Sequence, residues 1–176
     1  LRDILHRRVE SWGTWPNVAL LLVAFLACLK GFDWRQKWLG PSSDLPDARL
    51  GYTPDELRAV FDAWGQGRCQ LYAITQVTLD AAFPLVYGLL FALCVARLFT
   101  GDRGRWLVVV PLLAMLADLV ENVILAFLAW SARETIPPLA WIASAATLTK
   151  FAFFGASLLL LLVGGIAGRR RSLTSD

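Results

Sequence analysis

The chain has 176 residues, of which 57% are hydrophobic and only 18% charged, with a formal charge of +3. This is too apolar for a water-soluble domain and marks one polytopic membrane domain over residues 1–176. The positive excess comes from arginines that flank apolar segments, a topological signal and not a nucleic-acid patch, so no DNA or RNA partner is expected.

Residues 1–12 are polar and basic, with Arg2, His6, Arg7 and Arg8 against Asp3 and Glu10, and an apolar run over residues 15–30 follows as the first predicted span. A basic start before an apolar stretch also resembles a secretory signal, and Phe25-Leu26-Ala27-Cys28 is a loose match to a lipoprotein cysteine box. Phe25 stands where a leucine-like residue is usual and a short-residue cleavage site is missing, so the segment is expected to remain as a span.

Residues 31–70 make the one long polar connection. From Lys30 onward it carries six basic and six acidic residues, and this neutral balance assigns it to the outer face. Within it, Thr53-Pro54-Asp55-Glu56 has the form of a helix start, with threonine as N-cap, proline at the first helical position and Glu56 closing a capping box. Leu57, Val60, Phe61 and Trp64 then recur at helical spacing, which predicts a short amphipathic helix over 54–64, ended by Gly65 and Gly67.

The second span is predicted over 71–99. Tyr72, Gln76 and Asp80 fall four apart, with Phe83 and Tyr87 continuing the same side, so this polar and aromatic face should turn inward. Pro84 should kink the helix and free a backbone carbonyl for a polar site. A basic turn at 100–105 leads to the third span at 107–130, an outer turn ends in Pro137-Pro138, and the fourth span covers 139–166 before Arg169, Arg170 and Arg171. The arginine distribution puts both termini in the cytoplasm. The predicted fold is all-α: a polytopic transmembrane four-helix bundle with a short amphipathic helix in the first outer loop.

The eight tryptophans gather at segment ends, where indole rings favour the headgroup level. Cys28, Cys69 and Cys94 show no Cys-x-x-Cys spacing, and Cys28 and Cys69 are the two able to meet, although free apolar cysteine is the commoner state. The single histidine, His6, precedes the first span, so no haem or histidine-held metal is expected. Phosphate loops, serine–histidine pairs and HExxH motifs are absent from the sequence, and no cofactor is implied.

What chemistry there is lies in the third span, where Asp118, Glu121 and Asn122 share one helical face inside the bilayer. A charged side chain at such depth costs about 2.5–3.5 kcal/mol on insertion scales and marks a partner or a site. Counted from the predicted outer ends, Asp80 and Glu121 lie about 13 Å down, and Asp118 and Lys150 about 18 Å down, at 1.5 Å per residue. Common depth predicts that Asp80, Asp118, Glu121, Asn122 and Lys150 converge on one pocket, with Thr147 a turn before Lys150 and with Ala143, Ala146 and Ala156 allowing close helix approach. Three acids against one lysine leave this cluster with an excess of negative charge, so at least one carboxyl is expected to be protonated at neutral pH through desolvation and like-charge repulsion. An ion of like charge to Lys150 would be disfavoured, so no metal is expected.

Three readings fit the cluster. One is structural, a polar network that fixes helix order. A second is a pocket open to the outer side that binds a lipid-like or small amphiphilic molecule, with Asp118 or Glu121 as acid or base, Lys150 stabilising negative charge, and Arg68, Tyr72, Gln76, Asp80, Tyr87, Asn122 and Thr147 as ligand-binding groups. The third is an ion or proton path. The expected partners are membrane lipids, and the alternative function is an accessory subunit docked on a larger membrane complex or on a second copy of the chain.

The run Tyr52-Thr53-Pro54-Asp55-Glu56, then Gly67-Arg68, Tyr72, Asp80, Phe83-Pro84 and Ala117-Asp118-Leu119-Val120-Glu121-Asn122, resembles a pattern in small four-span bacterial membrane proteins. The resemblance covers residues from about 50 to 125. It implies a multi-pass protein of the bacterial inner membrane and carries no activity with it.

Overall fold

The computed structural model describes residues 14–41, 45–99, 104, 106–131 and 137–173. The basic segment at 1–12 and most of the two turns at 100–105 and 131–138 lie outside the described residues. Every regular element among the described residues is helical: α1 (Trp15–Leu39), a single 3-10 turn (Pro46–Ala48), α2 (Pro54–Val77), α3 (Leu79–Leu98), α4 (Val109–Ser131) and α5 (Pro137–Leu173). Four stretches are long and apolar enough to cross a membrane, namely α1, the α2–α3 unit from Pro54 to Leu98, α4, and α5 as far as Ala167. The chain is a multi-pass membrane protein.

The first helix runs well beyond the predicted end at residue 30. Its polar residues do not stop it because each finds a place on the helix surface: Lys30 reaches Asp33 at 3.1 Å on the exposed side, whereas Arg35 turns inward on the stripe that also buries Cys28 and Leu39. The helix closes at Gly40, whose N–H donates to the Gln36 carbonyl at 2.9 Å. The long connection expected over 31–70 therefore shrinks to a short crossing between Leu39 and Pro54.

At Thr53 the predicted capping box is present, with Glu56 N–H donating to the Thr53 hydroxyl and Thr53 N–H donating to the Glu56 carboxylate at 2.7 Å. Gly65, at φ 68° and ψ 173°, leaves the helical region inside α2, a conformation that L side chains avoid. On its N-terminal side Leu57 and Phe61 are buried, and Val60 and Trp64 pack against the same apolar cluster.

The helical path breaks at Thr78, where φ is −115° and ψ −87°, ahead of Pro84. The Thr78 hydroxyl donates to the Ile74 carbonyl at 2.7 Å, which satisfies a group exposed by the break. Pro84 lies inside α3. Its missing N–H frees the Asp80 carbonyl four residues earlier, and Asn122 Nδ2 donates to that oxygen at 2.6 Å. The freed carbonyl predicted for Pro84 is thus used in the polar centre.

α4 is the central element and packs along α5, α3 and α2, while α1 lies at the edge, mainly against α3. Ala114 and Ala129 on α4 and Ala140 and Ala143 on α5 are fully buried, so these helices approach on small side chains, as packing in lipid favours. Apolar side chains form tiers along the helices. One tier contains Tyr72, Leu125 and Ala143. The next contains Tyr87 and Ala114, with Phe154 packed on it. Gln76 and Asp80, Glu121 and Asn122, and Thr147 and Lys150 fall between these tiers on their respective helices and are buried. These polar groups form one layer between the two apolar tiers.

α3 and α4 approach closely at Gly88, where an added Cβ would stand 2.7 Å from Met115 Cβ and 2.9 Å from its sulfur. Gly88→Ala is expected to lower stability by about 1–3 kcal/mol through overpacking. Met115→Ala should not restore it, because the Cβ of residue 115 itself is in the way. Thermal unfolding of the single and double variants in detergent measures this, and a neutral Gly88→Ala would contradict the close approach.

Candidate functional site

The polar layer is built from two carboxylate–cation–carboxylate triads. In the first, Arg35 of α1 places Nη1 2.6 Å from both oxygens of Asp80 on α3, and its Nη2 stands 3.6 Å from Asp47 Oδ2 in the 3-10 turn, an ion pair without a hydrogen bond. Tyr72 of α2 donates its hydroxyl to Asp47 Oδ1 at 2.7 Å. In the second, Lys150 of α5 lies 2.6 Å from Glu121 Oε2 and 3.5 Å from Asp118 Oδ1, both on α4. The Thr147 hydroxyl donates to Glu121 Oε1, and the Tyr87 hydroxyl donates to Asp118 Oδ2 at 3.1 Å. Asn122, on the face of α4 that carries Asp118 and Glu121, ties α4 to the first triad through the Asp80 carbonyl.

Burial makes these pairings obligatory. Arg35 is 5% exposed, Lys150 8% and Glu121 fully enclosed, so a charge left without its partner would stand in a low-dielectric interior. Tyr52, in the crossing that precedes α2, donates its N–H to the Ser144 hydroxyl at 2.9 Å and anchors that crossing to α5. Burial, and after it the nearby Glu121 carboxylate, holds the Tyr52 phenol above its ordinary range, so it stays protonated as a neutral neighbour of the acids.

Beside the triads lies a cavity of about 260 Å³. Arg35, Asp47, Asp80, Asp118 and Lys150 form its charged part, and Phe32, Phe83, Tyr87, Phe151 and Phe154 form its aromatic part. Both resident cations also rest on rings of the wall, Arg35 over Phe32 at 4.9 Å and Lys150 over Phe151 at 5.2 Å. Tyr87 meets Phe83 and Phe154 edge to face, with ring centroids 5.1 Å and 5.0 Å away. With α1 on one side and α5 on the other, the cavity lies toward the end of the helices that carries the Leu39–Pro54 crossing.

The residues singled out from the sequence divide accordingly. Asp80, Tyr87, Asp118 and Lys150 line the cavity. Glu121, Asn122 and Thr147 stand behind them and hold them in place. Tyr72, expected at an entrance, is fully buried and fastens Asp47. Gln76 is fully enclosed, does not line the cavity, and neither its amide oxygen nor its amide nitrogen has a hydrogen-bond partner among the described residues. Arg68 is away from the site: its guanidinium donates to the Leu39 carbonyl and stacks on Trp64 at 4.6 Å, closing the end of α1. Cys28 and Cys69 are free thiols. No group of three metal-ligating side chains occurs among the described residues.

Sequence reasoning misses Arg35 and Asp47. A signal for Arg35 is present: once α1 is extended past residue 30, Cys28, Arg35 and Leu39 fall on one stripe. Asp47 carries no comparable signal, because a short polar crossing has no periodicity. With two cations against four carboxylates in the completed layer, the negative excess read from the sequence persists.

Comparison with protein-family models, with curated proteins and with solved structures gives no match to this chain.

Proposed function

We propose that the chain is a transmembrane four-helix bundle whose intramembrane cavity binds the headgroup of a lipid-like or small amphiphilic molecule. The observation that carries this reading is that one cavity is lined by both charged and aromatic side chains. Its volume of about 260 Å³ falls below the roughly 300–1,000 Å³ usual for sites that enclose a whole small molecule. A headgroup and the first part of a chain fit such a space, and the remainder of the chain passes between helices into lipid. The arginine pattern supports a bacterial inner-membrane location with both termini cytoplasmic, the cavity toward the outer side and the amphipathic 54–64 stretch covering it.

Asp118 and Lys150 face the cavity and are the groups placed to exchange a proton with a bound headgroup. Glu121 acts on Lys150 from behind and is a positioning residue in this scheme.

Filling the cavity tests the reading. Phe83→Trp adds volume to the wall without touching an ion pair and is expected to lower the amount of co-purified amphiphile by about tenfold, with thermal unfolding in detergent nearly unchanged. Mass spectrometry of the purified protein and its organic extract supplies the measurement. Wild-type protein that carries no bound amphiphile and binds none saturably would sink the proposal.

A further inference from the structure

Resting on that reading, the charge layout specifies the ligand further: we infer that the headgroup is an ammonium, a primary or quaternary nitrogen cation seated against Asp118, with its alkyl chain leaving past Phe151 and Phe154.

Every element around the site contributes to the count. Arg35 comes from α1, Asp47 from the 3-10 turn, Asp80 from α3, Asp118 and Glu121 from α4 and Lys150 from α5, with Tyr72 of α2, Tyr87 of α3 and Tyr52 of the crossing as neutral hydroxyls. Two cations therefore meet four carboxylates. Each cation is already held between two acids, so an anionic headgroup would have to strip a buried carboxylate of its partner and add to the negative excess. A cation reduces that excess, and a singly charged ammonium meets less repulsion from Lys150 than a divalent metal ion would, because Glu121 at 2.6 Å neutralises that lysine.

The four carboxylates are not equally committed. Asp80 has Arg35 at 2.6 Å, Asp47 has Tyr72 at 2.7 Å, and Glu121 has Lys150 at 2.6 Å. Among the described residues Asp118 has Lys150 at 3.5 Å and Tyr87 at 3.1 Å, both longer contacts, and it lines the cavity whereas Glu121 does not. Spare acceptor capacity thus lies at the carboxylate a ligand can reach. Around it, Tyr87, Phe151 and Phe154 supply rings, surfaces that attract an organic cation. A metal ion is the poorer occupant, since no three ligating side chains are grouped for one among the described residues. Because protons and an ammonium compete for the same four carboxylates, affinity should rise with pH.

The test uses the full chain in maltoside micelles, titrated with decyltrimethylammonium, decylamine and decyl sulfate and followed by thermal shift. Both ammonium probes are expected to bind saturably, about tenfold or more tighter than the sulfate, and to tighten from about pH 5 to about pH 8. Asp118→Asn should cost about tenfold or more of that affinity, and Phe154→Leu, which leaves every ion pair in place, several-fold. Equal or tighter binding of the sulfate overturns the ammonium assignment while the amphiphile reading stands, as does ammonium binding indifferent to both variants. Failure of all three probes removes both. Nanodiscs of mixed phosphatidylethanolamine and phosphatidylglycerol separate the sources: retention of the ethanolamine lipid identifies a membrane headgroup, and alkylammonium binding without such retention identifies a free amphiphile, each in keeping with the proposed chemistry.

Discussion

Lys150→Met is expected to destabilise the protein by about 3–5 kcal/mol, the usual cost of removing one partner from a buried ion pair. The substitution nearly conserves side-chain length, so packing is disturbed little. What changes is that Glu121, fully enclosed, and Asp118, 8% exposed, lose the one cation between them. The cost is therefore that of uncompensated charge, and it should be recovered in large part by adding Glu121→Gln and Asp118→Asn, which empty the triad of charge altogether. Thermal unfolding in detergent, read through the native tryptophans, gives the cycle. If Lys150→Met alone unfolds at the wild-type temperature, or if the triple variant is no better than the single one, the triad does not hold α4 to α5 in the manner described.

Arg35→Gln should act on the other triad and be felt first in the crossing between α1 and α2. Asp47 is held by an ion pair to Arg35 and by a hydrogen bond from the Tyr72 hydroxyl, and the latter, being made to a charged group, is worth about 1.5–3 kcal/mol. Removing Arg35 also strips Asp80 of its only cation within ion-pair distance among the described residues, so the effect should exceed that of Tyr72→Phe. Amide exchange over residues 45–53 is expected to accelerate by roughly 10²-fold in Arg35→Gln, while α4 and α5 stay protected. Uniform acceleration across all helices, or none in the crossing, would show that the Asp47 latch is not what holds this segment.

Much of the polar layer is legible in the order of residues along the chain. Asp118, Glu121 and Asn122 announce themselves because a membrane helix has no tolerance for polar groups without a purpose, and helical spacing places them on one face. Depth then brings in Asp80 and Lys150. Depth counting ranks the pairs less well: it sets Lys150 level with Asp118, whereas Lys150 lies closer to Glu121. Side-chain length and direction, which a count of backbone rise omits, account for that difference. For Pro84 the local logic yields the freed Asp80 carbonyl but not the site of the break, because Thr78 competes for the preceding backbone through its own hydroxyl.

The number and order of the spans, and the bounds of the last two, follow from the sequence alone, since the cost of exposing backbone and charge to hydrocarbon acts residue by residue and needs no knowledge of neighbours. Which charge meets which does not. Arg35 reads as a loop residue until α3 and the 3-10 turn offer it two carboxylates, and Asp47 is one polar residue among many until Arg35 and Tyr72 converge on it. Only the packing of α2, α3 and α5 around α4, with α1 against α3, brings these groups within a few ångströms, the range at which a low-dielectric interior turns separate charges into one network and leaves a cavity beside Asp118.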